Sequence, residues 1–198
     1  MTVPTPRDPW ARRLRALRLT ALTERFPRTP VRALYCGLNG FVALLVMALL
    51  ALITHAPFLF PSLGPTAFLL FHTPQAPAAA PRNSVGGHLI GVAAGWLALA
   101  VTGLTGTEPN LEGVTWRRAL AAALALGLTC ALMPPLGLAH PPAGATTLIV
   151  ALGLLRTPAE LAVMMLAVVL LCVQGLTINR LAGIPYPLWR PARAPGPS

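Results

Sequence analysis

Long apolar runs separated by short polar links fill most of this chain. Four of the runs are long enough to cross a hydrocarbon core of about 30 Å, which takes about 20 apolar residues in a helix. They lie at about 33–54, 85–106, 118–138 and 159–178. Two further apolar stretches, 57–72 and 140–155, are shorter and open on clusters of proline and glycine. The pattern predicts an all-α polytopic membrane protein with four to six membrane segments.

The two short stretches resemble each other at an offset of 80 residues. The matched pairs are Pro61 with Pro141, Gly64 with Gly144, Thr66 with Thr146, Phe68 with Leu148, Leu69 with Ile149, and Leu70 with Val150. Each stretch ends in a Thr-Pro pair and lies between two spanning runs. We therefore predict an internal repeat of about 33–106 and 117–180.

The proline and glycine clusters predict broken or re-entrant segments. Proline is tolerated in the first turn of a helix, so each cluster favours an extended entry followed by a helix that begins near Gly64 or Gly144. Inside a membrane, the free N–H groups of such a helix start must be buried in protein or line a watery cavity, where they favour an anion. Taken singly, either cluster could instead mark a kink in a packed helix. A matched pair favours a binding site where the two segments meet.

This hypothesis defines a first set of candidate residues for substrate binding. They are Pro61, Ser62, Gly64, Thr66, His140, Pro141, Pro142, Gly144, Thr146 and Thr147. The threonine hydroxyls could cap the helix starts or contact a ligand. His140 is expected at the mouth of the cavity, where it could bind an anion or pass a proton, although a structural role at the helix entry is equally compatible with its position.

A second set of candidates precedes and enters the second spanning run. His88 lies one turn into the predicted helix, where ionisable groups usually face a pathway. Arg82 and Asn83 are expected to cap a helix that starts near Ser84, and Arg82 could draw anions or simply extend to the interface. We predict that Arg82, Asn83 and His88 belong to a pathway or proton relay.

Composition and charge support a membrane location. Of the 198 residues 55% are hydrophobic and 10% charged, with a net charge of +10 and a mean hydropathy of +0.67. All 15 basic residues are arginines, and eight precede the first long apolar run. Their place beside apolar segments, without interleaved aromatic residues, fits the positive-inside rule better than nucleic-acid binding. Both termini are therefore expected to be cytoplasmic, since either four or six spans is an even number.

The chain divides into three predicted parts. Residues 1–32 form an Arg-rich cytoplasmic tail, within which 9–27 could be an amphipathic helix on the membrane surface or a solvated tail. Residues 33–180 form the membrane domain, and 181–198 form a Pro-rich cytoplasmic tail. Gly87, Gly91 and Gly95 follow the G-x-x-x-G spacing of close helix packing, either within the chain or in a homo-oligomer.

The chain carries no sign of catalysis. Its five acidic residues lie in tails and loops, and no nucleophile motif, phosphate-binding loop or zinc-binding motif occurs. Cys36, Cys130 and Cys172 show no metal-binding spacing. We therefore expect no enzyme, no cofactor and no metal site.

Three separated motifs resemble the HPP family of integral membrane proteins over about 31–180. They are "HPPAGAT", which begins at His140, "PSLGPTAFLLF", and "APRNSVGGHLIG". Members of that family are usually described with four transmembrane helices, and some plant and cyanobacterial members are implicated in nitrite transport. A departure is Pro65, where the family often has alanine or serine.

Residues and resemblance together predict a channel or secondary transporter for a small monovalent anion, nitrite first. We expect its location to be the inner membrane of a bacterium, and its partners to be the lipid bilayer and the small inorganic anion. The alternative is a non-transporting membrane anchor or assembly subunit that uses its glycine faces to bind a partner.

Overall fold

A computed structural model describes residue 16 and residues 18–191 of the chain. Within that part every regular element is helical, which confirms the all-α prediction. The α-helices are α1 (Leu19–Arg25), α2 (Arg28–Thr54), α3 (Leu63–His72), α4 (Pro81–Val101), α5 (Trp116–Leu136), α6 (Ala143–Ala151) and α7 (Pro158–Leu181). A short 3-10 helix, Pro77–Ala79, precedes α4. The predicted amphipathic segment, 9–27, contains α1, and its residues 9–15 and 17 lie outside the described part.

Four helices, α2, α4, α5 and α7, are long and apolar enough to cross a membrane. Local sequence sets several of their starts. Pro158 occupies the first turn of α7, and Thr157 and Glu160 form a capping box there. Pro81 likewise opens α4. The predicted start near Ser84 was therefore wrong, because a proline at the first helical position needs no N–H partner and lets the helix begin a turn earlier.

The segment 55–72 runs the full length of the bundle. It leaves the end of α2 at His55, and its last turn returns to the start of α2, where the rings of Phe71 and Tyr35 meet edge to face at 6.3 Å. Those two levels of α2 are about 28 Å apart at 1.5 Å per residue. At the same end Asn179, near the end of α7, donates to the Leu70 carbonyl at 2.9 Å. The segment therefore crosses as an extended entry followed by α3, and it does not turn back.

The segment 137–153 also crosses, alongside α4. A Cβ on Gly87 would lie 2.7 Å from the His140 side chain, and one on Gly95 would lie 2.7 Å from Val150. At the far end Gly153 packs against the guanidinium of Arg118, in the first turn of α5. Because Gly137 follows the last turn of α5, the segment has traversed the whole length of that helix.

The bundle consequently contains six crossings, two of them half extended and half helical. Each half of the chain has a long helix, a broken segment and a second long helix, and the two halves run in opposite directions. The two ends of the described part lie on the same side, where Gly183 packs against Thr20. The element order matches the predicted repeat, and the duplication itself stays a prediction.

The glycine face of α4 packs within this chain. A Cβ on Gly91 would lie 2.8 Å from both the Ala143 carbonyl and the Thr147 hydroxyl. Such distances are shorter than any ordinary side-chain contact, so only glycine lets α6 approach α4 this closely. The close approach brings the first turn of α6 against the middle of α4, where the candidate site lies.

Candidate functional site

Four polar side chains from four places in the sequence meet inside the bundle. Thr66 comes from the first turn of α3, His88 from α4, His140 from the link before α6, and Thr146 from the first turn of α6. All four are fully buried. We call these four residues the histidine cluster. Buried polar groups of this kind must form hydrogen bonds to one another or to a ligand, because lipid tails and apolar side chains contain no hydrogen-bond donors or acceptors.

The two threonines matched in the sequence contact the same imidazole. Thr66 Oγ1 lies 3.0 Å from His88 Nε2, and Thr146 Oγ1 lies 2.7 Å from His88 Nδ1. Thr66 Oγ1 also lies 3.2 Å from His140 Nε2. Finally, His140 Nδ1 lies 2.7 Å from the carbonyl oxygen of Ala78. A continuous chain of hydrogen bonds therefore joins α6, α4, α3 and the link before α4.

The Ala78 carbonyl fixes the direction of this chain when both histidines are neutral. A carbonyl only accepts, so His140 must carry its proton on Nδ1 and accept on Nε2. Thr66 then donates to His140 Nε2 and accepts from His88 Nε2. His88 Nδ1 in turn accepts from the Thr146 hydroxyl. The Ser62 carbonyl lies 2.9 Å from Thr66 Oγ1 and competes with His140 Nε2 for the one Thr66 hydrogen, and with either acceptor the Thr66 oxygen is free to accept from His88.

The link before α4 is anchored from the C-terminal segment. The phenol of Tyr186 donates to the carbonyl of Ala79, next to the residue that accepts from His140. Burial raises the pKa of Tyr186, with a smaller contribution from nearby Cys172, so the phenol stays a donor. Arg180 donates to the Tyr186 carbonyl at 3.0 Å and holds that segment in place.

Several predicted site residues lie beside the cluster without joining it. The Thr147 hydroxyl lies 2.9 Å from the hydroxyl of Thr129 and forms a second buried pair. Ser62 faces the sulfur of Met164 at 4.0 Å. His140 was expected at the mouth of a cavity, and that was wrong: its side chain is fully buried, because the 137–142 link folds against the glycine face of α4.

The predicted free N–H groups at the start of α6 are already occupied. Ala143, Gly144 and Ala145 donate to the carbonyls three residues earlier, at 3.0–3.1 Å. The turn that the Pro-Pro pair initiates supplies these carbonyls, so this helix start offers no orphan donors for an anion. At α3 the first N–H, that of Leu63, donates to Phe60 in the same way.

The candidate glycines and prolines set backbone geometry and do not touch the cluster. Among the described residues no atom lies within 4 Å of a Cβ placed on Gly64, and Leu126 at 3.6 Å is the nearest neighbour of one on Gly144. Pro142 is the N-cap of α6. Pro61 and Pro141 are exposed at the turns that begin the two short helices.

Arg82 and Asn83 have structural partners. The Arg82 guanidinium donates to the carbonyls of Gly137 at 2.8 Å and Leu136 at 3.2 Å, which caps the C-terminus of α5. Asn83 donates to the Ala139 carbonyl at 3.3 Å. This cap gives Arg82 a structural role, and its predicted role in attracting anions stays a prediction.

Sequence reasoning missed the Ala78 carbonyl and Ser84. Ser84 Oγ lies 3.5 Å from His140 Nδ1 and is fully buried. Its position one turn before His88 on α4 was an available signal, since residues four apart share a helix face. A backbone carbonyl carries no sequence signal. No third metal-ligating side chain joins the two histidines within residues 18–191.

A bundle of hydrophobic crossing helices around a buried polar cluster defines this chain as a polytopic integral membrane protein. It belongs to the HPP family, because the model of the HPP transmembrane region matches residues 26–187.

Two transmembrane proteins of Dictyostelium discoideum are similar to the chain. One is 34% identical over 120 residues, which are 59% of this chain and 39% of that protein. The other is 34% identical over 131 residues, 62% of this chain and 39% of that protein. The chain thus spans about two fifths of the length of these curated relatives. No solved structure matches it.

Proposed function

We propose that this protein carries a small monovalent anion, nitrite first, across the membrane together with a proton, and that the histidine cluster is the binding site. The observation that carries the proposal is the placement of Thr66 and Thr146 on the two nitrogens of His88. Each threonine belongs to one broken segment, so the cluster joins the two segments that run in opposite directions. Secondary transporters commonly bind their substrate at such a junction. The family resemblance supports nitrite as the first anion to test.

The proton is part of the proposal because the hydrogens of the cluster are already in use. An anion that enters needs donors, and an unpaired anion is expensive in a medium of low dielectric constant. Protonation of His88 or His140 supplies both a new N–H donor and a compensating positive charge. The anion and the imidazolium then form a neutral pair inside the bundle. Catalysis has no part in this proposal.

Access to the buried cluster requires that a broken segment moves. α3 and α6 span 10 and 9 residues, about half the length of the long helices. A helix with an extended entry can shift without breaking a continuous ladder of backbone hydrogen bonds. We propose that the two segments open the cluster alternately toward the two sides, with the termini on the cytoplasmic side of a bacterial inner membrane.

The rival hypothesis of a membrane anchor depended on a free glycine face. Gly87, Gly91 and Gly95 pack on the 138–150 stretch of the same chain. This packing occupies that face, so an anchor would have to bind its partner through another surface, and the transport proposal is preferred because it also accounts for the buried polar cluster.

The test is nitrite uptake by liposomes that contain the purified protein, with and without an inward proton gradient. Thr146→Val and Thr66→Val each remove a cluster hydroxyl and should lower uptake by about tenfold or more, since a buried unsatisfied partner costs about 1–3 kcal/mol. Thr146→Ser keeps the hydroxyl and should retain uptake. Thr177→Val is the matched control, because that exposed hydroxyl donates only to the Val173 carbonyl of its own helix.

Each outcome of this test bears on a separate part of the proposal. Saturable uptake that the gradient increases and the two cluster variants abolish supports the whole of it. Nitrite uptake that is the same with and without the proton gradient overturns the proton coupling. A folded protein that moves neither nitrite, nitrate, formate nor chloride overturns the anion proposal and restores the anchor.

A further inference from the structure

A large groove lies on the outer side of α3, away from the histidine cluster. It has a volume of about 1220 Å³ and is walled by α1, α2, α3 and the turn after α7. Small-molecule pockets are usually smaller, roughly 300–1,000 Å³. α2, its longest wall, has only two buried residues, Ala43 and Met47, so most of its apolar surface has no partner within the described residues.

The groove has one basic end. Arg28 and Arg32, one turn apart on α2, line this end with Thr20, Thr29, His72 and Gln75. No acidic side chain is among the described residues that line it. The ion pair found in residues 18–191, Arg156 with Glu108, is at the opposite end of the bundle. Within the part of the chain that the structure describes, neither of these two arginines forms an ion pair.

The rest of the groove is apolar and concave. Gly37 and Gly40 form a bare strip on α2, and no described atom lies within 4 Å of a Cβ built on either one. Phe41, Leu44 and Phe68 complete the apolar walls. We call the two glycines the glycine wall.

The length of the groove matches one leaflet. From Arg32 to Leu44 α2 rises by about 18 Å at 1.5 Å per residue. Half of the hydrocarbon core of a bilayer is about 15 Å. A lipid whose phosphate is at the arginine end would thus place its acyl chain along the glycine wall and end near the midplane.

We infer that this groove binds one anionic phospholipid from the leaflet on the side of the chain termini, with its phosphate at Arg28 and Arg32 and an acyl chain against the glycine wall. Charge complementarity selects the anionic headgroup. The glycine wall has no side chains, so it leaves room for the acyl chain of the lipid. The lipid would contact α3 through Gly64 and the exposed Phe68, on the opposite face of that helix from Thr66.

The test is native mass spectrometry of the full chain released from nanodiscs that contain equal amounts of phosphatidylglycerol and phosphatidylcholine. We expect one retained phosphatidylglycerol per chain. Arg28→Gln and Arg32→Gln should each lower the preference for phosphatidylglycerol by about fivefold. Gly40→Leu should lose bound lipid of both kinds, because its side chain fills the groove without a clash.

Matched controls lie elsewhere on the molecule. Gly127→Leu places the same side chain on α5, where the added Cβ also meets no described atom. Arg117→Gln removes an exposed arginine at the other end of the bundle. Both should bind lipid like the unchanged protein. Equal effects of controls and groove variants would overturn the inference, as would a dimer that Gly40→Leu dissociates while lipid retention stays the same.

Discussion

His88 uses both ring nitrogens inside the bundle, each of them with a threonine hydroxyl. The Ala78 carbonyl forces the proton of His140 onto Nδ1, and Thr66 transmits that constraint to His88. Two hydroxyls and two imidazoles thereby become a single ordered unit. A substitution at one member is expected to disturb all of them.

The first prediction concerns these tautomers. In the resting protein His140 should carry its hydrogen on Nδ1, because the Ala78 carbonyl only accepts, and His88 should carry its hydrogen on Nε2, because the Thr66 hydrogen points to His140 or to the Ser62 carbonyl and leaves the Thr66 oxygen to accept. Nitrogen-15 chemical shifts of labelled histidines in the reconstituted protein measure this directly. Thr146→Val should move the His88 Nδ1 resonance most and the other ring nitrogens less, which identifies it. A His140 whose hydrogen is on Nε2 would contradict the arrangement.

At the scale of elements, the contact between α4 and α6 determines where the cluster forms. Gly91 lets the first turn of α6 lie on α4, and this approach brings Thr146 within 2.7 Å of His88. The polar contacts depend on the fit of two backbones. A single added methyl group at this contact should therefore separate the two helices.

The second prediction follows from that fit. Gly91→Ala should lower the melting temperature, because its Cβ would meet the Ala143 carbonyl and the Thr147 hydroxyl at 2.8 Å. Gly127→Ala should leave it unchanged or raise it, since alanine favours a helix over glycine by about 1 kcal/mol and its Cβ meets no described atom. Thermal unfolding in detergent compares the two variants. Equal melting temperatures would show that α4 and α6 do not require the glycine.

The spanning helices and both short helices could be predicted from the sequence, and the contents of the site only in part. Runs of apolar residues and capping prolines define the helices directly, and the offset that pairs Thr66 with Thr146 pointed to their common neighbour. The sequence could not show that the N–H groups at the start of α6 are occupied. Their partners depend on the geometry of the preceding turn, and a proline-glycine cluster does not fix that geometry by itself. The cap that Arg82 forms on α5 could not be foreseen either, since it joins residues more than 50 positions apart.

A topology with six crossings and a topology with four spans place the loops on different sides of the membrane. Gln75 follows α3 on the side of the chain termini, and Glu112 lies in the link between α4 and α5 on the other side. With four spans and two segments that turn back, the two loops would exchange sides. Six crossings place Arg117, Arg118 and Arg156 on the far side with the three glutamates of that end, whereas four spans place Arg82 and Arg156 there, so the arginine count hardly distinguishes the two topologies. Those glutamates are Glu108, Glu112 and Glu160.

The third prediction tests this topology. Gln75→Cys, in a background where the three native cysteines are alanine, should react with a membrane-impermeant thiol reagent only from the side of the termini. Glu112→Cys should react only from the opposite side. Labelling of intact cells and of inverted vesicles distinguishes the two directions. Reaction of Gln75→Cys from the side opposite to the termini would establish four spans.

The Ala78 carbonyl has a consequence for energy conservation. A hydrogen-bonded chain conducts protons only if its last member can release one, and an amide oxygen cannot take up the proton that His140 would hand to it. The hydrogen-bonded row from Thr146 to Ala78 can therefore hold a proton on an imidazolium, but it cannot pass that proton on beyond Ala78. A membrane that contained many copies of this protein would thus keep its proton-motive force when no anion is at hand.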